Sequence, residues 1–105
     1  MSELYGLKDK TTQAIKSVFA LYPAIEQAIL YGSRAKGNYR IGSDIDLSLK
    51  GEALELSMLF NIETALDDLL LPYKIDLSIF HKIETPKLLD HINRIGVVFY
   101  EKEIM

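Results

Sequence analysis

Residues 30–49 read Leu30-Tyr31-Gly32-Ser33-Arg34-Ala35-Lys36-Gly37-Asn38-Tyr39-Arg40-Ile41-Gly42-Ser43-Asp44-Ile45-Asp46-Leu47-Ser48-Leu49. An apolar run ends in a Gly-Ser turn, a basic loop with two further glycines follows, and an Asp-x-Asp pair then sits inside an apolar segment. In a strand, residues two apart share a face, so Asp44 and Asp46 project together while Ile45, Leu47 and Leu49 form the opposite, core-facing side. Two carboxylates held that close repel unless one protonates or a cation lies between them. Oxygen ligands suit a hard divalent ion, and Mg²⁺ in particular is usually held by one or two carboxylates plus substrate phosphates.

The same stretch offers a place for phosphate. Ala28 to Tyr31 is of strand type, Gly32 lets the backbone approach a ligand, and Ser33 to Lys36 suits a short helix. Free N–H groups at a helix start, with the Ser33 hydroxyl, can meet phosphate oxygens. Arg34, Lys36 and Arg40 add positive charge, a combination suited to a triphosphate.

Length and composition set the frame. The chain has 105 residues, enough for one compact domain, here taken as residues 1–105. Its net charge of −3 argues against a general nucleic-acid-binding surface, leaving the glycine loop as the local basic exception. With no cysteine, disulfides, thiolate metal sites and a Cys nucleophile are excluded. Met1-Ser2-Glu3-Leu4-Tyr5 carries no basic segment followed by an apolar one, and no apolar run reaches membrane-spanning length, so no membrane role and a cytoplasmic location are expected.

Around the central stretch the apolar periodicity predicts an α-β-β-α-β-α-β order. Ile15, Val18, Phe19 and Tyr22 mark a helix over 9–21, and Ala24 to Tyr31 leads into the first strand. Ile45 to Leu49 is the second strand. Leu59, Ile62, Leu66 and Leu69 form the stripe of a helix over 53–71, expected to stop at Pro72. Lys74 to Phe80 returns to period two, and Asp76-Leu77-Ser78 repeats Asp46-Leu47-Ser48. If those strands are neighbours sharing a core face, Asp76 joins the carboxylate pair. Thr85 as N-cap and Pro86 as first residue open a last helix, with Leu88, Leu89, Ile92 and Ile95 inward and Gly96 at its C-terminal cap. Val97 to Tyr100 is the final strand.

Other candidates carry less. His81 and His91 have no partner at zinc-ligand spacing, and a surface or supporting place fits them better than a metal. Glu63, Asp67 and Asp68 fit an exposed helix face, and the EF-hand ligand spacing is missing.

Gly-Ser-Arg-Ala-Lys-Gly-x-x-Arg-x-x-Ser-Asp-Ile-Asp-Leu, from Gly32 to Leu47, resembles the signature of the DNA polymerase β-like nucleotidyltransferases, most closely the minimal nucleotidyltransferases (MNT). The likeness spans nearly the whole chain, including the final helix, glycine and strand. It implies an α/β (α+β) fold with a palm-like mixed sheet and helices packed on one face. It also implies that Asp44, Asp46 and Asp76 are the catalytic and metal-binding carboxylates of a two-ion Mg²⁺ site. Gly32, Ser33, Arg34, Lys36, Arg40 and Ser43 would lie on the nucleotide. Two metals about 3.5–4 Å apart can stabilise the attacking and leaving oxygens of an in-line displacement at the α-phosphorus.

Larger relatives carry extra domains for base and acceptor, for which this chain has no room. The resemblance therefore implies a partner, a helical HEPN protein encoded nearby, in a toxin–antitoxin pair where the MNT antitoxin transfers AMP from ATP to a tyrosine of the toxin. Transfer to a small molecule such as an aminoglycoside, and a non-catalytic module that neutralises by occlusion, are the competing readings. Which NTP is used, and whether the chain forms a homodimer or a hetero-oligomer, stay open.

Overall fold

The computed structural model describes residues 3–103. Met1 and Ser2, part of the N-terminal segment read above, fall outside that range, as do the last two residues. The elements run α1 (Asp9–Ala20), β1 (Gln27–Tyr31), α2 (Ser33–Lys36), β2 (Ile45–Lys50), α3 (Leu56–Asp67), β3 (Ile75–Ile79), a 3-10 turn (Phe80–Lys82), α4 (Pro86–Ile95) and β4 (Val97–Glu101). The expected order is therefore present, and so is the short helix expected over Ser33 to Lys36. No helix among the described residues is long and apolar enough to cross a membrane.

The four strands form one mixed sheet in the order β3-β2-β1-β4. β1 runs antiparallel to both β2 and β4, while β2 and β3 are parallel. The parallel pair depends on α3 as its crossover, because parallel neighbours cannot be joined by a tight turn. Its register is Asp46 beside Asp76, Leu47 beside Leu77 and Ser48 beside Ser78. The repeated Asp-Leu-Ser is thus matched residue for residue.

Period two divides the sheet into two faces. Ala28, Leu30, Ile45, Leu47, Leu49, Leu77 and Ile79 join Ile15, Phe19, Ile62 and Leu66 of α1 and α3 in the main core. The opposite face carries Ile29, Tyr31, Asp46, Ser48, Asp76 and Ser78. α1 and α3 pack on one face as expected, but α4 does not join them. Its Ile92 buries against Ile29 and Tyr31 on the opposite face. The narrow apolar stripe of α4 leaves only Ile92 fully buried, with Leu88, Leu89 and Ile95 half-buried.

Three boundaries depart from the sequence reading. α3 ends at Asp67, well before Pro72, because the chain tightens: Leu69 and Leu70 donate to the carbonyls three residues back and Leu70 adopts a φ of 54°. Thr85 makes no side-chain capping bond, although Pro86 opens α4 as expected. Gly96 is extended (φ −60°, ψ 144°) rather than left-handed. Its need is for space, since a Cβ there would meet the Ile92 carbonyl oxygen and lie 2.6 Å from Ile29 Cγ2.

Leu47 is fully buried at the centre of the main core. Leu47→Ala should cost about 2–5 kcal/mol, read as a lower urea midpoint with an unchanged m-value.

Candidate active site

Strand pairing assembles the site. Tyr31 on β1 is paired with Asp46 on β2, which is paired with Asp76 on β3. One tyrosine and two carboxylates therefore cross the sheet in a single row. In the next row Ser78 Oγ donates to Ser48 Oγ at 3.0 Å. That bond satisfies a serine with no solvent exposure, where an unpaired hydroxyl would be costly.

Asp44 is exposed and precedes the first residue of β2, so the strand does not fix it as it fixes Asp46. It remains an electrostatic neighbour. Burial pushes the Asp46 carboxyl above its ordinary value, and the negative charges of Asp76 and then Asp44 push it further, against weaker pulls from Lys74 and, when its ring is protonated, His91. Burial likewise raises the Tyr31 phenol; a hydrogen bond with Ser78 works the other way, and Asp76 and Asp46 add to the rise. Both shifts arise first from burial, with the neighbouring carboxylates adding to it.

Gly32 follows directly from this packing. Its φ is 75°, and a Cβ there would collide with Asp46 Oδ2. Absence of a side chain lets the turn lie against the central carboxylate. Ser33 then opens α2, which Gly37 closes in a left-handed conformation.

The basic loop divides into two parts. Lys36 and Arg40 are exposed, while Arg34 is only 2% exposed. Arg34 Nε and Nη2 donate to the Ser43 carbonyl at 3.2 and 2.9 Å, and Nη1 donates to the Tyr5 carbonyl at 2.8 Å. Its guanidinium also lies 5.4 Å from the Tyr39 ring centroid and 5.0 Å from that of Tyr73. Three of its five N–H donors are committed to backbone carbonyls, which hold Arg34 inside the loop, unlike the exposed Lys36 and Arg40. Ser43 is similarly engaged, its hydroxyl accepting from the Arg40 N–H at 2.8 Å. Arg34 and Ser43 shape the loop that delivers Asp44.

Tyr31, Lys74 and His91 were not singled out for the site by sequence reasoning. For Tyr31 a signal existed, since a hairpin joining the first two strands would set it near Asp46. Lys74 stands one residue before Ile75, as Asp44 stands one before its register partner Ile45. Among the described residues, no group of three or more His, Asp or Glu side chains converges closely enough to hold a metal ion unaided.

Set on this sheet, a carboxylate row flanked by a Gly-Ser turn defines the nucleotidyltransferase class. The chain belongs to the polymerase beta nucleotidyltransferase family, whose sequence model matches residues 13–104. No curated protein matches it by sequence. The fold is that of MNT antitoxin structures. A toxin–antitoxin crystal structure with AMP-PNP contains a chain 18% identical, with a TM-score of 0.70 over 88% of this chain and 74% of that one. For MntA–HepT the values are 15%, 0.67, 90% and 74%. For the tri-AMPylated Shewanella oneidensis HEPN toxin in complex with MNT antitoxin they are 15%, 0.60, 88% and 73%.

Two substitutions test the geometry. Asp46 has a raised pKa in the fold, so the folded state holds its proton more readily than the unfolded chain, and this residue costs stability once ionised. Without metal, Asp46→Asn should melt above wild type at pH 7. The gap should close as pH falls through the raised value toward the ordinary 3.8. Arg34→Lys keeps the charge but loses the fork and the aromatic contacts. It should cost about 1.5–3 kcal/mol in urea unfolding and speed proteolysis within residues 37–43.

Proposed function

We propose that this protein is a Mg²⁺-dependent nucleotidyltransferase, transferring AMP from ATP to a tyrosine hydroxyl of a HEPN-type partner and thereby acting as its antitoxin. The observation that carries the reading is the pairing of Asp46 with Asp76 beside a glycine turn packed on Asp46. The partner and the nucleotide are supported by the relatives in fold, which include an MNT antitoxin complexed with an AMPylated HEPN toxin and a toxin–antitoxin structure with AMP-PNP.

The donor set fits magnesium. Its ligands are carboxylate oxygens; burial raises the Asp46 pKa most, and the further rise under Asp76 and Asp44 is repulsion that a cation relieves. Asp44, Asp46 and Asp76 would hold the ion or ions, with substrate phosphates supplying the oxygens that the protein does not. Bound there, magnesium supplies charge neutralisation on the triphosphate.

The chain's own residues do the rest. Gly32 gives the triphosphate close access to the carboxylates, and the Ser33 hydroxyl donates to it. Lys36 and Arg40, both free at the surface, draw the polyanion in. Asp76 is exposed, so an incoming hydroxyl can reach it. It accepts the hydroxyl proton as the oxygen attacks the α-phosphorus, the bond to the bridging oxygen breaks, and pyrophosphate leaves. The acceptor comes from another chain in the cytoplasm, the row being open on the β3 side.

The test is label transfer from each α-labelled NTP with Mg²⁺, alone and with the HEPN-type protein encoded alongside. Label from ATP should appear on the partner and fall by at least about 10²-fold in Asp46→Ala. Tight partner binding with no transfer would establish neutralisation by occlusion instead. Label on an aminoglycoside without the partner would establish the small-molecule reading.

A further inference from the structure

α4 crosses the sheet face that carries the carboxylates, and its buried Ile92 anchors it to Ile29 and Tyr31. The preceding residue, His91, is half-buried, and its ring meets Tyr31 edge-on with centroids 6.0 Å apart at 79°. The Gly32 N–H donates to His91 Nε2 at 3.1 Å. An accepting Nε2 requires the proton of the neutral ring to sit on Nδ1. The N–H of the turn glycine is thus already bonded to a side chain from a distant helix.

Gly32 also needs outside support. Its φ of 75° and ψ of −157° are readily visited by glycine but not held by any side chain of its own. On one side the turn lies against Asp46. On the other, its N–H bonds to His91, while its carbonyl accepts from the Lys36 N–H at 3.0 Å.

We infer that His91 is a positioning residue for the nucleotide site: by accepting from the Gly32 N–H it locks the Gly-Ser turn against Asp46, leaving Ser33 rather than Gly32 to donate to the triphosphate. This rests on the transferase reading for its consequence, but not for the contact itself. His91 touches no reacting atom and acts through the turn.

The experiment compares the full chain with His91→Phe, which keeps an aromatic ring against Tyr31 without an acceptor, and with His91→Gln, whose amide oxygen can accept. Amide exchange at Gly32, read by NMR without nucleotide, should be slow in wild type, about tenfold faster in His91→Phe and slowed again in His91→Gln. That is the scale of one hydrogen bond's net worth. Mg²⁺–AMP-PNP should bind about tenfold more weakly to His91→Phe, with a rise in KM exceeding the fall in kcat, and His91→Gln should recover most of the affinity.

Melting curves establish that both variants are folded. His91→Phe with wild-type Gly32 exchange and wild-type affinity would overturn the inference. So would a folded His91→Gln that behaves like His91→Phe. A wild type that binds no nucleotide would overturn the transferase reading, and Gly32 exchange would still decide whether His91 holds the turn.

Discussion

The constraint on which the site depends is the parallel, in-register pairing of β2 with β3. It sets Asp46 beside Asp76 and gives neither carboxylate a cationic partner close enough to form an ion pair, the one such pair among the described residues being Arg94–Asp90. Adjacent like charges are an unfavourable arrangement for a sheet. It is sustained by the other face of the same strands, where Ile45, Leu47, Leu49, Leu77 and Ile79 are held in the main core. A slip by one residue would turn those side chains outward and the carboxylates inward, so burial of one face enforces the register of the other. The buried Ser48–Ser78 bond reinforces it from the middle of the same face.

Much of this was legible in the sequence because it rests on periodicity. Alternation in 45–49 and 75–79 identifies the strands and their faces, and the repeated Asp-Leu-Ser anticipates which residues lie abreast. The helices of the main core, α1 and α3, follow from their apolar stripes. The contacts of Arg34 and His91, which sequence reasoning missed, rest on backbone groups, which every residue possesses. Arg34 bonds to the carbonyls of Tyr5 and Ser43, and no residue type marks a carbonyl as an acceptor for a distant guanidinium. An arginine in a basic glycine loop therefore reads as a phosphate ligand. His91 meets a backbone N–H 59 positions earlier, a contact that metal-ligand spacing rules cannot find.

The placement of α4 was illegible for a related reason. Its apolar residues identify an amphipathic helix but not the sheet face it covers. That is decided by Ile29 and Tyr31, which supply an apolar strip on an otherwise polar surface, and by Gly96, whose missing side chain lets the helix end close on β1. As a result the carboxylate face is roofed on the β1 side and open toward β3. A substrate can approach from one direction while the turn is supported from the other.

The Arg34 anchorage has a consequence for how the molecule withstands acid. A guanidinium stays protonated throughout the range in which proteins fold, and peptide carbonyls do not titrate there. A latch built from a guanidinium and two peptide carbonyls has no carboxylate in it to be protonated. A buried Arg–carboxylate pair would instead fail once its acid was protonated. The loop from Gly37 to Ser43 is thus fastened by groups indifferent to protons, immediately beside a row of carboxylates that are sensitive to them.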